Sequence, residues 1–457
     1  MKIRQATILD GTNSNDLRGS QIRERLIEAY DSAGYSVIVH RMEEIKIAHC
    51  IGCFGCWVKT PGECIHKDAG RQIAKEILNS HTVVLLSPVV FGGYSAALKH
   101  MVDRFIPLIH PNLMMRYGEI HHRSRYTGYP RMVGIGLQQE HDEKLAYIFK
   151  TLVGRNAINF HCPSYAAEVL HGGVDDDLLQ KKIKEMVTRK DPVPEKRLVA
   201  SMMAGLIQGD TRGDTTDFEP TRTRRALLLV GSPKRGASTS EVLGGYLLRC
   251  LEEMGWSTKT LKLRSRVFRD EGLKELFSLV DQADLIVPAF PLYVDSLPAL
   301  VTQALEVLSA GWRDLTESRP RRLFPIVNNG FPEAYQNAPA LAICGNFAEK
   351  TGMVWAGSLA LGAGEALVCG RSLGEKKPNG LPVFHVIHAL RESASMLDQK
   401  GRVSCAPGKS LERTPFPMMP FFLWRRMCIP FAASGWKKQA SQHGIEPRQM
   451  NARPYAQ

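Results

Sequence analysis

The sequence predicts an α/β fold in two tandem domains, each built on a parallel sheet. Three observations predict it. Short, largely apolar runs at 82–87, 226–230 and 284–289 do not alternate, as strands buried on both faces do not, and residues 3–9 read as a further strand. Stretches of helical period separate them and end at Gly34 and Gly255, where helices stop. The pattern also runs twice. Gly11 matches Gly231 at an offset of 220 residues and Pro88 matches Pro291 at 203, so the first copy carries 17 extra residues between these points. The cysteine stretch at 50–64 is the surplus.

In the first copy, strands are expected at 3–9, 35–40, 82–87, 132–137 and 157–162, with helices at 17–33, 72–79, 95–104 and 177–188. Residues 191–222 read as a linker, with Pro192, Pro194, Gly209, Gly213 and Pro220 among many charges. The second copy repeats the strands at 226–230, 256–263, 284–289, 323–327 and 354–361, with its first helix at 241–254. The domains are therefore 1–190 and 223–457.

Composition limits the function classes. The 457 residues are 44% hydrophobic and 23% charged, as in ordinary globular protein. No apolar window approaches a membrane span, and no secretory signal precedes the first strand. Ten cysteines without such a signal imply thiols or metal ligands in a reducing, cytoplasmic setting rather than disulfides. Net charge is +13, but residues 401–457 hold nine Lys/Arg against two Glu. The basic balance belongs largely to the tail, so nucleic acid is not the expected partner.

The turn after strand 226–230 is suited to an anion. Ser238, Thr239 and Ser240 stand at a helix start, where backbone N–H groups are unpaired and the dipole is positive. Ser232, Lys234 and Arg235 add donors and charge. The spacing is neither a Walker loop nor GxGxxG, so a monophosphate fits better than a pyrophosphate.

The string Gly-Ser-Pro-Lys-Arg-Gly-Ala-Ser-Thr-Ser resembles the FMN-phosphate loop of the flavodoxin-like NAD(P)H-dependent FMN reductase family. The resemblance implies two doubly wound flavodoxin-like domains that bind ligand at the strand C-termini, where strand order reverses. It also implies that Pro291, Leu292, Tyr293 and Val294 pack on an isoalloxazine ring and that Asn328, Asn329 and Gly330 reach its pyrimidine side. In domain one, Ser87-Pro88-Val89-Val90-Phe91-Gly92, then Ser95, Leu98, Lys99, Asp103 and Arg104, is similar to the same family signature. There Pro88, Phe91 and Gly92 are the flavin-facing candidates. The domain-one phosphate loop departs from the family, because Asp10 beside Gly11-Thr12 repels a phosphate. Domain one either binds FMN through Asn13, Ser14, Asn15 and Ser20 or is a decayed copy.

Cys50, Cys53, Cys56 and Cys64 have spacing x2, x2, x7. Four thiolates so placed suit a [4Fe–4S] cluster or tetrahedral zinc. The string is similar to that of iron–sulfur flavoproteins, and also to reductases whose cysteines line a loop near the flavin without a cluster. Free thiols therefore stay open beside the cluster. The other six cysteines read as small core residues.

His121, His122, Arg123, Arg125 and Tyr126 read as a basic loop, either solvated or set toward a phosphate or a reduced flavin. None is assigned as catalytic. In the tail, Phe416, Phe421, Phe422, Leu423 and Trp424 sit beside Arg425, Arg426, Lys437 and Lys438. That mixture suits an anionic membrane face or an acidic redox partner, or else an extension packed on domain two with its cations outward. Pro415, Pro417, Pro420 and Pro430 oppose a continuous helix there.

The resemblance implies an FMN-dependent oxidoreductase that takes electrons from NAD(P)H and passes them to a small acceptor such as a quinone or free flavin. A flavodoxin-type electron carrier and a non-catalytic scaffold are the alternatives. Members of the fold often pair across the flavin site, which the tandem repeat or a homo-oligomer would supply.

Overall fold

The computed structural model describes residues 4–193, 223–311, 321–368, 370–373, 383–399, 409–412 and 419–456. The linker at 191–222 therefore lies almost wholly outside the described residues. The chain divides into two compact units, one comprising 1–202 with 428–457 and the other 203–427. The last thirty residues, which the sequence groups with domain two, belong to unit 1.

Unit 1 runs β1 (Arg4–Asp10), α1 (Leu17–Ser32), β2 (Tyr35–Arg41), α2 (Gly55–Val58), α3 (Ala69–Asn79), β3 (Thr82–Pro88) and α4 (Ala96–Val102). It continues with β4 (Ile109–Arg116), β5 (Glu119–Ser124), β6 (Arg131–Gln138), α5 (Glu143–Asn159), β7 (Tyr165–His171) and α6 (Asp176–Thr188). The sheet order is β2-β1-β3-β6-β7, all parallel. This is the flavodoxin-like order, with its switch point between β1 and β3. Ile8, Val84, Leu86, Val133 and Ile135 bury one sheet face against Ile22 and Leu26 of α1 and Leu179 and Ile183 of α6. The fifth strand is β7, not 157–162. That apolar run splits between the last turn of α5 and the loop after it, because a short apolar stretch has no period that separates buried helix from strand.

Unit 2 runs β8 (Arg225–Val230), α7 (Thr239–Glu253), β9 (Ser257–Lys262), α8 (Asp270–Gln282), β10 (Leu285–Pro291), α9 (Ala299–Ala310), β11 (Arg322–Leu323) and β12 (Ile326–Asn328). Then come α10 (Ala338–Thr351), β13 (Val354–Trp355), β14 (Leu359–Leu361), α11 (Gly364–Leu367), α12 (Phe384–Asp398) and β15 (Lys409–Leu411). The order β9-β8-β10-β12-β14 repeats that of unit 1, and β15 adds an edge strand. The strands expected at 323–327 and 354–361 are each split in two. Pro325 has no N–H for the ladder, and Gly357 takes φ +93, so each chain steps sideways. The tail forms α13 (Phe421–Ser441), a continuous helix despite Pro430. The carbonyl that Pro430 leaves without a donor is that of Arg426, and both residues are exposed, which keeps the cost of the lost bond low.

The two units match at the switch point. Gly11 N–H donates to Leu86 O at 2.8 Å, and Gly231 N–H donates to Ala289 O at 2.8 Å. Both glycines sit under a helix. A Cβ on Gly231 would lie 2.2 Å from Val301 Cγ2 and 2.9 Å from Phe290 Cβ, and one on Gly11 would lie 2.5 Å from Leu98 Cβ. Gly231→Ala is therefore expected to lower the stability of unit 2 by about 1–3 kcal/mol, the cost of overpacking a dense core. Urea denaturation measures it, and an unchanged midpoint would contradict this packing.

Candidate functional site

In unit 2 the loop after β8 reaches the N-terminus of α7. Ser238 caps that helix, its Oγ accepting from Glu241 N–H at 3.2 Å. Arg264, just past β9, donates to Ser232 O at 2.7 Å and Lys234 O at 2.6 Å, which fixes the loop backbone. Asn328, at the end of β12, donates from Nδ2 to Ser240 Oγ at 2.8 Å and to Phe290 O at 3.2 Å. Leu292 N–H donates to Asn328 O at 2.7 Å. These bonds bring the ends of β8, β10 and β12 together, so Ser232, Lys234, Ser238, Thr239, Ser240, Pro291, Leu292 and Asn328 share one sheet end. Asn329 is turned to its own loop, its Nδ2 donating to Glu333 O at 2.9 Å and its Oδ1 accepting from Phe331 N–H at 2.9 Å. Gly330 and Arg235 are exposed.

The seat already contains an anion from the chain itself. Glu365 of α11 accepts from Lys234 Nζ at 2.8 Å and from Thr239 Oγ1 at 3.2 Å. The close fit of α11 is set by Gly364, where a Cβ would meet Asn328 Cβ at 3.0 Å and Thr239 Cγ2 at 3.2 Å. Sequence reasoning missed Glu365 and Arg264. Neither lies in a motif, and only the fold brings them to the loop.

The loop after strand three repeats to the residue. Val90 and Gly93 exchange backbone bonds at 2.9 and 2.8 Å, and Tyr293 and Ser296 do so at 2.9 and 3.1 Å. The central residues all have positive φ: Phe91 (53°) and Gly92 (96°), then Val294 (49°) and Asp295 (55°). A β-branched valine in that region is strained, and such strain concentrates at binding loops.

Unit 1 fills its own anion loop with carboxylates. Asp10 is buried, its Oδ1 accepting from Thr12 N–H at 2.9 Å and Oγ1 at 2.6 Å, while Arg23 holds its Oδ2 at 2.7 Å. Glu43 accepts from Ser14 N–H at 2.6 Å, and Asp16 caps α1. Of the donors expected to meet a phosphate, Asn13 Nδ2 and the Ser14 N–H are thus already engaged by Glu43.

The cysteine stretch forms a pocket beside α2, lined by Cys50, Cys53, Cys56, Cys64, His66 and Arg104. Arg104 pairs with Asp68 at 2.9 Å. Burial pushes the Cys50 thiol up to about 12 and Cys56 well above its ordinary value. The donor chemistry matches a metal, but the placement does not. Among the described residues no group of three or more His, Cys, Asp or Glu side chains is gathered to hold a metal ion. The [4Fe–4S] alternative on Cys50, Cys53, Cys56 and Cys64 is therefore not supported. Of the other cysteines, Cys162, Cys250, Cys344 and Cys428 are buried as expected, and Cys369 and Cys405 lie outside the described residues.

The histidine stretch is not a loop. It forms β5, paired antiparallel with β4. His121 is fully buried, its ring 3.0 Å from Glu119 Oε2 and 2.7 Å from Asn159 Oδ1, and Arg155 closes the group at 2.8 Å from Glu119. Burial alone would raise Glu119, but Arg155 and His121 outweigh it and bring it to about 2. These residues form a core ion network. Arg125 likewise turns inward, donating to Met450 O and Ala452 O at 2.9 Å.

Two parallel sheets of flavodoxin-like order, each with a tight turn after strand three, define a tandem flavodoxin-like protein. The sequence matches the NADPH-dependent FMN reductase family over residues 5–129 and 224–342, more than half of its length, and the chain belongs to that family. Among curated relatives it is 30% identical over 100 residues to an iron-sulfur flavoprotein of Archaeoglobus fulgidus, covering 22% of this chain and 44% of that protein. It is 44% identical over 87 residues to one of Methanocaldococcus jannaschii, covering 19% and 44%. The chain thus spans less than half the length of these relatives. Among solved structures it resembles an NAD(P)H:quinone oxidoreductase from Methanothermobacter marburgensis, with TM-score 0.30 and 14% identity over 40% of this chain and 100% of that one. It also resembles an FMN-dependent NADH-azoreductase from Bacillus anthracis, with TM-score 0.27 and 13% identity over 39% and 100%.

Proposed function

We propose that this protein is an FMN-dependent NAD(P)H oxidoreductase whose flavin sits in unit 2 and whose acceptor is a quinone, a free flavin or a similar small molecule. The observation that carries the reading is the difference between the two anion loops. Unit 1 meets its loop with Asp10, Asp16 and Glu43, whereas unit 2 presents Lys234, Thr239 and one displaceable carboxylate, Glu365. Bound FMN supplies the redox chemistry by accepting hydride and releasing electrons. The chain's residues hold and orient it. Lys234 and Thr239 bind the phosphate once Glu365 moves off, Arg264 keeps their loop in register, and the turn at 293–296 offers a face for the ring. No side chain is assigned to proton transfer.

The test is the absorption spectrum of anaerobically purified protein with flavin and iron quantified, followed by addition of NADPH. One FMN per chain, bleached rapidly by NADPH, is expected. Bound flavin that NADPH does not reduce would support an electron carrier instead. A colourless protein that FMN does not reconstitute would leave a scaffold. Stoichiometric iron would overturn the free-thiol assignment of the cysteine pocket.

A further inference from the structure

We infer that residues 449–456 form a clasp that keeps two thiols of the cysteine pocket shielded, by holding the turn between Cys56 and Cys64. The segment belongs to unit 1, as do Gly62, Asn79 and Arg125, which it touches. It is pinned at two points. Met450 and Tyr455 are buried, at 3 and 4% exposure, while residues 451–454 between them are exposed. Arg125, itself buried, donates from Nη1 to Met450 O and Ala452 O, and Asn79 at the end of α3 donates from Nδ2 to Tyr455 O at 3.2 Å. Bonds from a guanidinium to carbonyls are charge-assisted, so they hold the segment more firmly than neutral ones.

Between the pins the clasp bears on Gly62. That glycine has φ +92, and a Cβ on it would lie 2.5 Å from Pro454 Cδ and 3.2 Å from Ala452 O, so turn and clasp meet with no room for a side chain. Gly62 N–H donates to Cys56 O at 2.9 Å. Thr60 Oγ1 donates to Glu63 O at 2.9 Å, and Arg71 Nε donates to Cys64 O at 2.6 Å. The turn thus carries the contact from Pro454 to both cysteines. Shielding follows the same line. Cys53, outside the turn, is exposed, whereas Cys64 is half-buried and Cys56 is buried. Among the described residues the clasp joins no strand of the sheet, and most of it faces solvent. A segment held by few buried side chains opens locally at far lower cost than the sheet it lies on. Whatever binds the detached segment therefore raises access to thiols that the closed clasp shields.

The experiment is pulsed labelling of the reduced full-length protein with N-ethylmaleimide, read cysteine by cysteine by peptide mass spectrometry. The double variant Met450→Ser/Tyr455→Ser removes both pins. In it Cys56 and Cys64 are expected to label at least about tenfold faster, because the rate at a shielded thiol follows the open population and the lost burial raises that population. Cys53 is expected to keep its rate, and Cys162, buried in the core of the same unit, to stay protected. Tyr455→Phe keeps the buried ring and is expected to label as the unsubstituted protein does. Pro454→Gly changes only an exposed residue and leaves both pins in place. Loosening the clasp there is expected to raise the Cys56 and Cys64 rates about two- to fivefold. Three results would overturn the inference. Unchanged Cys56 and Cys64 rates in either the double variant or Pro454→Gly would separate the segment from the pocket. Acceleration of Cys162 in step with them would make the segment part of the core rather than a clasp. Equal acceleration in Tyr455→Phe would mean that the buried ring is not what holds it.

Discussion

Glu365→Gln is expected to tighten FMN binding by about ten- to hundredfold, and to leave riboflavin binding unchanged. The carboxylate stands on the two donors that a flavin phosphate needs, Lys234 Nζ at 2.8 Å and Thr239 Oγ1 at 3.2 Å. FMN binding must first break those bonds and then hold a phosphate of charge near −2 beside a displaced carboxylate. Two unit charges about 4 Å apart near a protein surface interact by about 4 kcal/mol. Glu365 is half exposed, so solvent screens it and lets it swing aside, which brings the penalty to about 1–3 kcal/mol. Glutamine keeps the size and the hydroxyl contact and removes only the charge. Flavin fluorescence quenching on titration of the apoprotein measures the effect. Riboflavin lacks the phosphate, so it separates this electrostatic effect from a general change in the ring pocket. Equal shifts for both flavins would assign Glu365 to the ring site, and no shift for either would remove it from the phosphate seat.

The repeat and the seat differ in how far the sequence reveals them. The strand–helix alternation and the paired glycines follow from apolar runs and two glycine–proline anchors, because both are local patterns, whereas the strand order came from the family resemblance. Matching Pro88 with Pro291 also aligns Phe91-Gly92 with Val294-Asp295, although the structure was needed to show positive φ in both turns. Glu365 and Glu43 were invisible for the opposite reason. Each acts on a loop far away in sequence, and an acid on a short helix or turn carries no signal of its own. The run at 157–162 failed because apolar content without period does not separate the end of a buried helix from a strand. The tail failed because proline was weighed as a helix breaker without knowing that Pro430 faces water, where the lost hydrogen bond is cheap.

Acidification is expected to unfold unit 1 before unit 2. Burial pushes His100 down to about 3 and His110, His122 and His161 down to about 4, and it also lowers His49. All five lie in unit 1. A histidine whose folded pKa lies below its ordinary 6.5 stays neutral in the folded chain while the unfolded chain takes up a proton. Its contribution to stability is therefore complete above pH 6.5 and is lost as pH falls toward about 4, with a slope approaching about 1.4 kcal/mol per pH unit for each group. Four such groups titrating together would remove several kcal/mol by pH 5, comparable to the whole stability of a domain. Glu119, held near 2, contributes stability that is present above about 4.5 and is lost only at lower pH, so it marks a second and more acidic step. Hydrogen exchange read peptide by peptide resolves the order. Peptides from β4, β5 and α5 are expected to lose protection between pH 6.5 and 4.5 while those from β8 and β10 keep theirs. His122→Asn is expected to flatten the dependence, since it removes one ring that must protonate on unfolding and leaves the hairpin backbone intact. Loss of protection in both units at one common pH, or the same slope in the variant, would mean that these rings are not what acid attacks.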